Sequence, residues 1–452
     1  MTRFVLGSLF LNCQDQIYSE EYSDFIGNRS LIESKYALDC KQPLGAMFAS
    51  LYLKLSDGYE DGTVYGYYNI PKLFGLQDTG SMESSGILQV RENPDLKLDG
   101  SGVLIGFVDT GIDYAGSIFL KQDGTTRVIA IWDQTIPAES PIRLPELPTT
   151  LENITRTPEG FLYGSEFTHE QLNAAVKMAD AYEGISSRDE NGHGTFLASI
   201  AAGNELPDGS FTGAAPKADI AMVKLKPAKN RLRAYYQIKE DAVAYQENDI
   251  MAGVLYLVSL AKKRQQPLVI CLGLGTNAGS HRGSLPLARM LEDLGSSVGI
   301  TIVAGTGNET SRGHHFEGQI SSESGYEDVE IRVAEGENGF FLELWASAPE
   351  TYSVAIRSPN GEVIPRIYVR PGRIEILNFA LAQTRVELSY RLSVTGTGEF
   401  LALLRFINIT PGVWTVRVYN DLFITGHYHM WLPIESFLRQ DTVFLRPSEF
   451  IS

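Results

Sequence analysis

Four continuous apolar runs between residues 100 and 310 constrain the fold of this chain more than any other feature. They are VLIGFV at 103–108, ADIAMVKL at 218–225, PLVICLGLG at 267–275 and GITIVAGTGN at 299–308. Runs of this length with Gly or Pro nearby predict strands that are buried on both faces. Helical patterns lie between them, as at 249–263, where apolar residues recur at helical spacing. Strands that alternate with helices predict an α/β fold with a parallel sheet and right-handed crossovers.

The pattern changes to a period of two between about residues 317 and 437. Segments such as FFLELWAS, YSVAIRS and VELSYRLS alternate apolar and polar positions, which predicts short strands with one buried face. SPNGEV at 358–363 predicts a hairpin turn. We therefore expect an all-β module, a sandwich or jelly roll. Residues 1–78 contain one strand-like segment, FASLYLKL at 48–55, and are otherwise irregular for a compact domain.

Charge and cysteine content restrict the partners and the compartment. The chain has 38 Lys and Arg against 55 Asp and Glu, and its net charge of −17 argues against nucleic acid or an anionic membrane as the main partner. Cys13, Cys40 and Cys271 are odd in number and far apart, which predicts no disulfide framework and favours a reducing compartment. No run approaches the ~18 apolar residues of a membrane span, and no signal-peptide cleavage site follows the N-terminus. We expect a protein that is not exported.

Three polar residues lie at positions where functional groups are commonly found in such a fold. Asp109 follows the first apolar run in VDTGID, and Asn308 ends the fourth in GTGNE. The carboxyl ends of parallel strands are where function concentrates. His193 lies between two glycines in NGHGT and opens a helical run of small residues. Each residue alone is more typical of a turn or a structural role, and Asp113 competes with Asp109, although it lies beyond the strand end.

Taken together and in this order, the motifs resemble the subtilisin-like serine proteases, the subtilases of peptidase family S8. The resemblance covers roughly residues 85–310 and includes VLIGFVDTGIDY, DENGHGTFLASIAAG and FTGAAPKADIAMVKL. It is strongest to a clostridial-type subgroup that includes the germination proteases of spores. That subgroup has a jelly roll inserted between the oxyanion Asn and the catalytic Ser, and the all-β block after Asn308 stands in that position.

The resemblance implies a role for each of these residues. Asp109 would accept the Nδ1 proton of His193, His193 would act as base and then acid, and Asn308 would donate its amide to the oxyanion. It also implies a strand that binds the substrate backbone, formed by Leu272, Gly273, Leu274 and Gly275. The substrate would be a protein or peptide, such as the pro-form of another protein, in the cytoplasm or in a spore. No metal site or cofactor is implied; structural calcium is common in the family, but Asp57, Asp61 and Asp123 form no readable loop.

The family's catalytic Ser, in a G-T-S-x-A-x-P context after the Asn, is not found. No Ser after Asn308 has that context, and the nearest similar segment, TGSMESSG at 79–86, precedes Asp109. Ser81 is therefore a poor candidate, because Glu83 stands where an alanine would pack. Either the chain is cut short before the Ser, or it is a catalytically dead pseudoprotease that acts as a binding or regulatory partner. In both cases we expect the chain alone to be inactive.

We therefore expect the chain to have four regions. They are a pro-segment (1–78), the N-terminal part of a subtilisin-like catalytic domain that is incomplete at its C-terminal side (79–316), an inserted β jelly roll (317–437) and a return to the catalytic domain (438–452). The pro-segment would be processed near Leu76–Gln77–Asp78, where poorly patterned sequence meets structured sequence.

Other side chains have two interpretations each. His427 and His429 would share one face of a strand, as a metal site or as a surface pair. His314 and His315 would line the leaving-group side or lie in a solvated loop. Large aromatic residues in the β module would bind a glycan, which gives a third class of function, or fill its core; they are Trp345, Trp414 and Trp431.

Overall fold

The computed structural model describes residues 12–36, 40–54, 66–76, 98–144, 154–207 and 211–448. Asp57, Asp61 and Ser81 lie outside these ranges. The chain divides into two compact units. The first comprises Met1–Tyr59, Met82–Lys226 and Met251–Ile270, and the second comprises Glu60–Ser81, Pro227–Ile250 and Cys271–Ser452.

The helices of the described residues are α1 (Cys13–Tyr18), α2 (Arg29–Lys35), α3 (His169–Val176), α4 (Ala181–Gly184), α5 (His193–Ala202), α6 (Asn230–Tyr236), α7 (Glu247–Arg264) and α8 (Pro286–Gly295). The strands up to the β module are β1 (Tyr22–Asn28), β2 (Cys40–Leu44), β3 (Phe48–Lys54), β4 (Leu73–Leu76), β5 (Leu104–Asp109), β6 (Val128–Asp133), β7 (Ser165–Thr168), β8 (Asp219–Lys224), β9 (Tyr245–Gln246), β10 (Leu268–Leu272), β11 (Leu274–Gly275) and β12 (Ile300–Ala304). Those that follow are β13 (His315–Gln319), β14 (Tyr326–Val333), β15 (Gly339–Ala346), β16 (Tyr352–Arg357), β17 (Val363–Ile367), β18 (Ile374–Phe379), β19 (Thr384–Arg391), β20 (Phe400–Ile407), β21 (Gly412–Asn420), β22 (His427–Trp431) and β23 (Val443–Phe444).

The central sheet of the first unit has the strand order β10-β5-β8-β6-β7. Strand β5 runs parallel to β8, and β6 also runs parallel to β8, whereas β7 is antiparallel to β6. Every residue of β5 and β6 is buried, as expected for strands covered on both faces. The predicted α/β fold with a parallel sheet is confirmed, although β6 was not among the predicted strands. The fourth apolar run was expected to be buried on both faces, but no residue of β12 is buried, so that expectation was wrong.

The N-terminal region is more regular than its sequence suggested. Strands β1, β3 and β2 form an antiparallel sheet in that order, and β3 confirms the strand predicted at 48–55. Helix α2 starts where the side chain of Asn28 accepts a hydrogen bond from the backbone N–H of Leu31, at 3.3 Å. The expectation of an irregular region was wrong, because its short strands alternate too little to be recognised individually.

The cysteine prediction was also wrong. Cys13 of α1 and Cys40 of β2 form a disulfide with a Cα–Cα distance of 5.3 Å. Helix α1 packs beside β2 in the fold, a proximity that a sequence separation of 27 residues does not reveal. The disulfide removes the main sequence argument for a reducing compartment.

The second unit contains the β module, which has two antiparallel sheets. Their strand orders are β13-β22-β15-β20-β19-β18 and β17-β16-β21-β14-β23. Apolar side chains of both sheets form one buried cluster, which confirms the predicted all-β module, and the hairpin predicted at 358–363 joins β16 to β17. Strand β23 lies beyond residue 437 and pairs with β14 in the same sheet.

The three tryptophans of this module are buried, at 0% exposure for Trp414, 3% for Trp345 and 4% for Trp431. They therefore present no open ring face to a glycan, and their interpretation as core residues is the correct one. Within the described ranges, no helix has the length and apolar character that crossing a membrane requires.

Candidate functional site

Asp109 and His193 meet in the first unit. Asp109 is the last residue of β5 and His193 the first of α5, and His193 Nδ1 donates to Asp109 Oδ1 at 2.8 Å. The Asp109 side chain is 1% exposed and that of His193 is 14% exposed. The backbone N–H of Thr110 donates to the same carboxylate oxygen at 2.7 Å. The carboxylate thus favours the imidazole tautomer that carries its proton on Nδ1 and has an acceptor nitrogen at Nε2.

The two glycines beside His193 have different reasons to be glycine. Gly192 caps the helix with a φ of +90°, in the left-handed region that glycine favours. Gly194 allows a close approach, because a Cβ there would lie 2.2 Å from the carbonyl oxygen of Gly111 and 3.1 Å from Asp109 Oδ1. The first turn of α5 can therefore contact the loop after β5, which brings the ring to the carboxylate.

Asp189 organises this loop, a role that was not predicted from the sequence. Its carboxylate accepts from Thr110 Oγ1 at 2.7 Å, from the backbone N–H of Gly192 at 2.8 Å, and from the N–H and Oγ1 of Thr195 at 2.8 and 2.7 Å. Thr110 Oγ1 in turn accepts from the N–H of Gly194 at 2.9 Å. The signal was present, because Asp189 begins the DENGHGT segment.

Burial and hydrogen bonding have opposite effects on the pKa values of Asp109 and Asp189. Burial raises the pKa of Asp109 above its usual range, against the lowering effect of its contacts with His193 and Thr110. Burial also acts to raise the pKa of Asp189, but the hydrogen bonds that Asp189 accepts prevail and lower it. The alternative aspartate, Asp113, contacts the hydroxyl of Tyr182 and not His193.

Asn308 lies in the second unit, after β12. It is exposed and lines a cavity of about 500 Å³. Leu274 and Gly275 of β11 line the same cavity, together with His281 and Glu309. Leu272 ends β10, and its carbonyl accepts from the N–H of Gly305 at 3.2 Å, while Gly273 links β10 to β11. Residues 272–275 and the loop that carries Asn308 therefore converge within this unit.

Strand β4 pairs with the predicted substrate-binding strand. Leu274 stands opposite Leu76 and Gly275 opposite Gly75 in antiparallel register. On its other side β4 pairs with β9, so that β4 is the central strand of a three-stranded sheet. Gly75 has little space, since a Cβ there would lie 2.5 Å from Ile434 Cδ1.

The four histidines with two open interpretations contact neighbouring side chains. His314 Nδ1 donates to Glu309 at 2.5 Å, and His315 Nε2 lies 3.0 Å from His429 Nδ1. His427 lies 4.0 Å from Glu317. Among the residues that the structure describes, no group of three or more His, Cys, Asp or Glu is arranged to hold a metal ion.

Comparisons with known proteins show which family the chain is similar to. Residues 100–339 match the subtilase family. Two subtilisin-like proteases of Arabidopsis thaliana, SBT3.8 and SBT3.1, are 31% identical over 133 residues and 32% identical over 143 residues. Each match covers 28% of this chain and 16% of the plant protein, so the chain spans less than a fifth of the length of these relatives.

A solved structure, that of the CspB protease of Clostridium perfringens, is similar over a larger share of the chain. It has a TM-score of 0.65 and 26% identity, with 81% of this chain and 68% of that chain covered. This agrees with the predicted resemblance to a clostridial-type protease. Because the family match extends over more than half of its residues, the chain belongs to the subtilase family, peptidase S8.

Proposed function

We propose that this chain serves serine-type endopeptidase chemistry, with Asp109, His193 and Asn308 in the roles that its family gives to such residues. The observation that carries the proposal is the 2.8 Å hydrogen bond between His193 and the buried carboxylate of Asp109 in a subtilase. A buried carboxylate on Nδ1 prepares Nε2 to remove a proton from a hydroxyl nucleophile.

The proposed reaction divides the work among these groups. His193 Nε2 takes the proton of a serine hydroxyl as the hydroxyl oxygen attacks the scissile carbonyl, and Asp109 stabilises the imidazolium that forms. The amide of Asn308 donates to the oxyanion, a contact whose loss typically costs about 10²–10³ in kcat. His193 then returns the proton to the leaving amine, and water hydrolyses the acyl-enzyme by the same path in reverse.

The serine itself is not among the 452 residues in a recognisable context. We therefore expect no labelling of the 452-residue chain by a fluorophosphonate probe, with an intact subtilase as the positive control. Robust labelling, mapped to a particular Ser by mass spectrometry, would contradict this expectation and identify a nucleophile elsewhere in the chain.

The N-terminal region acts, in this proposal, as a pro-segment that ends near Leu76–Gln77–Asp78. One feature supports it: β4, whose residues lie just before this point, pairs with the strand that would bind substrate. Gln77 and Asp78 lie outside the described residues. N-terminal sequencing of active protein would test the proposal, since a mature start outside about residues 70–90 contradicts it.

A binding or regulatory pseudoprotease is the second candidate, and the pairing of β4 with β11 favours it as well. A chain that holds its own segment on that strand can act through binding alone. The coding sequence that follows the codon of Ser452 separates the two candidates. A reading frame that continues through G-T-S-x-A-x-P supports the protease, and a stop codon supports the pseudoprotease.

The substrate proposed from the family resemblance is the pro-form of another protein. An open cavity beside Asn308 and a strand that offers backbone groups are compatible with a polypeptide substrate. Neither feature selects a particular sequence.

A further inference from the structure

The turn that leads into His193 contains an Asn-Gly pair, the dipeptide that deamidates most readily in proteins. Asn191 and Gly192 are both exposed, so water reaches the peptide bond between them. Glycine favours the reaction because it has no side chain to shield its own backbone nitrogen. The contacts that surround this pair therefore determine how fast it reacts.

Deamidation proceeds through attack by a backbone nitrogen. The nitrogen of Gly192 loses its proton to a solvent base and bonds to the side-chain carbon Cγ of Asn191. The carboxamide nitrogen takes up a proton from water and leaves as ammonia. Water then opens the resulting succinimide ring at one of its two carbonyl groups, which gives an aspartyl or an isoaspartyl residue. The reaction needs no serine nucleophile, so it is independent of the proposed peptidase function.

The carboxamide of Asn191 already lies beside the nitrogen that would attack it. Its Oδ1 accepts from the backbone N–H of His193, two residues further on, at 3.3 Å. An Asn side chain in such a turn folds back over the intervening peptide, which here contains the Gly192 nitrogen. The same hydrogen bond draws electrons away from Cγ and makes it easier to attack. Because proximity of this kind removes much of the entropic barrier, the reaction is limited by the loss of the Gly192 proton.

The carboxylate of Asp189 opposes that proton loss. Its Oδ1 accepts from the N–H of Gly192 at 2.8 Å and from that of Asn191 at 3.2 Å. Burial acts to raise the pKa of Asp189, but the hydrogen bonds that it accepts prevail and lower the pKa, so the carboxylate is charged at neutral pH. A negative charge in this position stabilises the N–H and destabilises the amide anion that would attack. Asp189 therefore keeps the Gly192 nitrogen protonated.

A second Asn-Gly pair in the same chain provides the comparison. Asn360 and Gly361 are exposed in the hairpin between β16 and β17, and Gly361 has a φ of +84°, close to the +90° of Gly192. The N–H of Gly361 also donates a hydrogen bond, at 3.0 Å, but its acceptor is the backbone carbonyl of Ser358. The acceptor is thus a charged carboxylate at one site and a neutral carbonyl at the other.

We propose that Asn191 is a deamidation site and that Asp189 restrains the reaction through its hydrogen bond with the Gly192 N–H. The product alters the surroundings of the neighbouring histidine, because it places a new carboxylate two residues before His193. The isoaspartyl form also lengthens the backbone by one carbon at the turn that starts α5, which displaces the imidazole from Asp109. Asp189 thus preserves the covalent structure of the turn that it organises.

Peptide mapping by mass spectrometry of the 452-residue chain, incubated in mildly alkaline buffer, tests the proposal. The deamidation rate of each Asn in the folded chain is divided by its rate in the chain unfolded in urea. In the wild type this ratio should be lower for Asn191 than for Asn360. Asp189→Asn keeps an acceptor oxygen but removes the charge, and it should raise the rate at Asn191 about ten-fold, the typical advantage of a charged acceptor over a neutral one. The rate at Asn360 should not change.

Thr195→Val is the matched control. It removes a hydroxyl that donates to the other carboxylate oxygen, Oδ2 of Asp189, and leaves the bond from Gly192 to Oδ1 in place, so the rate at Asn191 should stay close to that of the wild type. An unchanged rate at Asn191 in Asp189→Asn would overturn the proposal. Equal acceleration in Thr195→Val would also overturn it and assign the effect to a loosened loop. The wild-type comparison needs no variant, and a ratio at Asn191 that equals or exceeds that at Asn360 would overturn the proposal even if Asp189→Asn did not fold.

Discussion

The glycines that flank His193 provide a sharp test of the site geometry. In Gly194→Ala the new Cβ would lie 2.2 Å from the carbonyl oxygen of Gly111, which belongs to the backbone and cannot rotate away. Ordinary contacts need about 3.2 Å or more, so either α5 or the loop after β5 must move by about 1 Å. Overpacking of this kind costs about 2–4 kcal/mol, and the better helix propensity of Ala returns about 1 kcal/mol.

We therefore expect Gly194→Ala to lower the free energy of unfolding by about 1–3 kcal/mol, measured by urea denaturation. Movement of α5 should also weaken the hydrogen bond between His193 Nδ1 and Asp109, which the downfield Nδ1–H resonance reports by NMR. The matched control is Gly192→Asn, because nothing lies within 4 Å of a Cβ at Gly192 and Asn tolerates a positive φ. Equal stability of the two variants, or an unchanged Nδ1–H resonance in Gly194→Ala, would refute the close-approach explanation.

Three further perturbations address other parts of the chain. Asp189→Ala should lower the free energy of unfolding by about 2–4 kcal/mol, because it leaves several donors without their acceptor, whereas the exposed neighbour Glu190→Ala should cost under about 1 kcal/mol. Comparable losses would contradict the organising role of Asp189. Cys13→Ser should lower the free energy of unfolding by about 3–4 kcal/mol under oxidising conditions and make stability insensitive to dithiothreitol. Cys271→Ser is the control. If the variant and the wild type respond equally to dithiothreitol, the disulfide does not form. Burial, with neighbouring His429 and His281, lowers the pKa of His315 to about 4, so its neutral form favours the folded state. That contribution is complete above the unfolded pKa of about 6.5 and is lost as pH falls toward 4, at up to about 1.4 kcal/mol per pH unit. His315→Gln should flatten the dependence of unfolding free energy on pH in this window, and identical profiles for variant and wild type would refute the assignment.

The sequence was most informative where one local rule decides the structure. The uninterrupted apolar run at 103–108 can lie only where both faces are covered, and β5 is buried throughout. Gly-His-Gly at the start of a run of small residues likewise specified a helix that begins at His193. Asp109 and His193 lie at the end of a strand and the start of a helix, whereas Asn308 lies in the loop after β12. The order of the three motifs indicated their chemistry through the family resemblance.

The sequence was least informative where two distant segments must meet. Cys13 and Cys40 are paired by the packing of α1 beside β2, and spacing alone gave no reason to join them. Asp189 could be recognised as part of a motif, but its acceptor role depends on Thr110, which lies 79 residues away. Side-chain contacts at such separations are set by the tertiary fold, and the hydrophobic periodicity of the sequence does not indicate them.

The segment that precedes the proposed processing point illustrates this limit most clearly. A lysine in a sequence predicts an exposed side chain, yet Lys72 is completely buried. Its Nζ donates to the carbonyls of Tyr67 and Ile70 at 2.7 and 2.6 Å. Its backbone N–H donates to Glu247, while the hydroxyl of Tyr67 donates to Glu343 of the β module at 2.6 Å.

Burial lowers the pKa of Lys72 to about 8 and raises those of both glutamates, with the opposite charges of these groups acting against each shift. Desolvating such charges is costly, so the contacts add little net stability compared with apolar residues of the same size. What they provide is selectivity, because a segment without the Lys72 amine would remove the positive charge that compensates the buried Glu247 and Glu343 carboxylates, and one without the Tyr67 hydroxyl would remove one of the donors to Glu343. The second unit therefore holds its own upstream strand by the identity of a few polar groups, which explains why a segment with so weak a sequence pattern takes one defined position against β11 and β9.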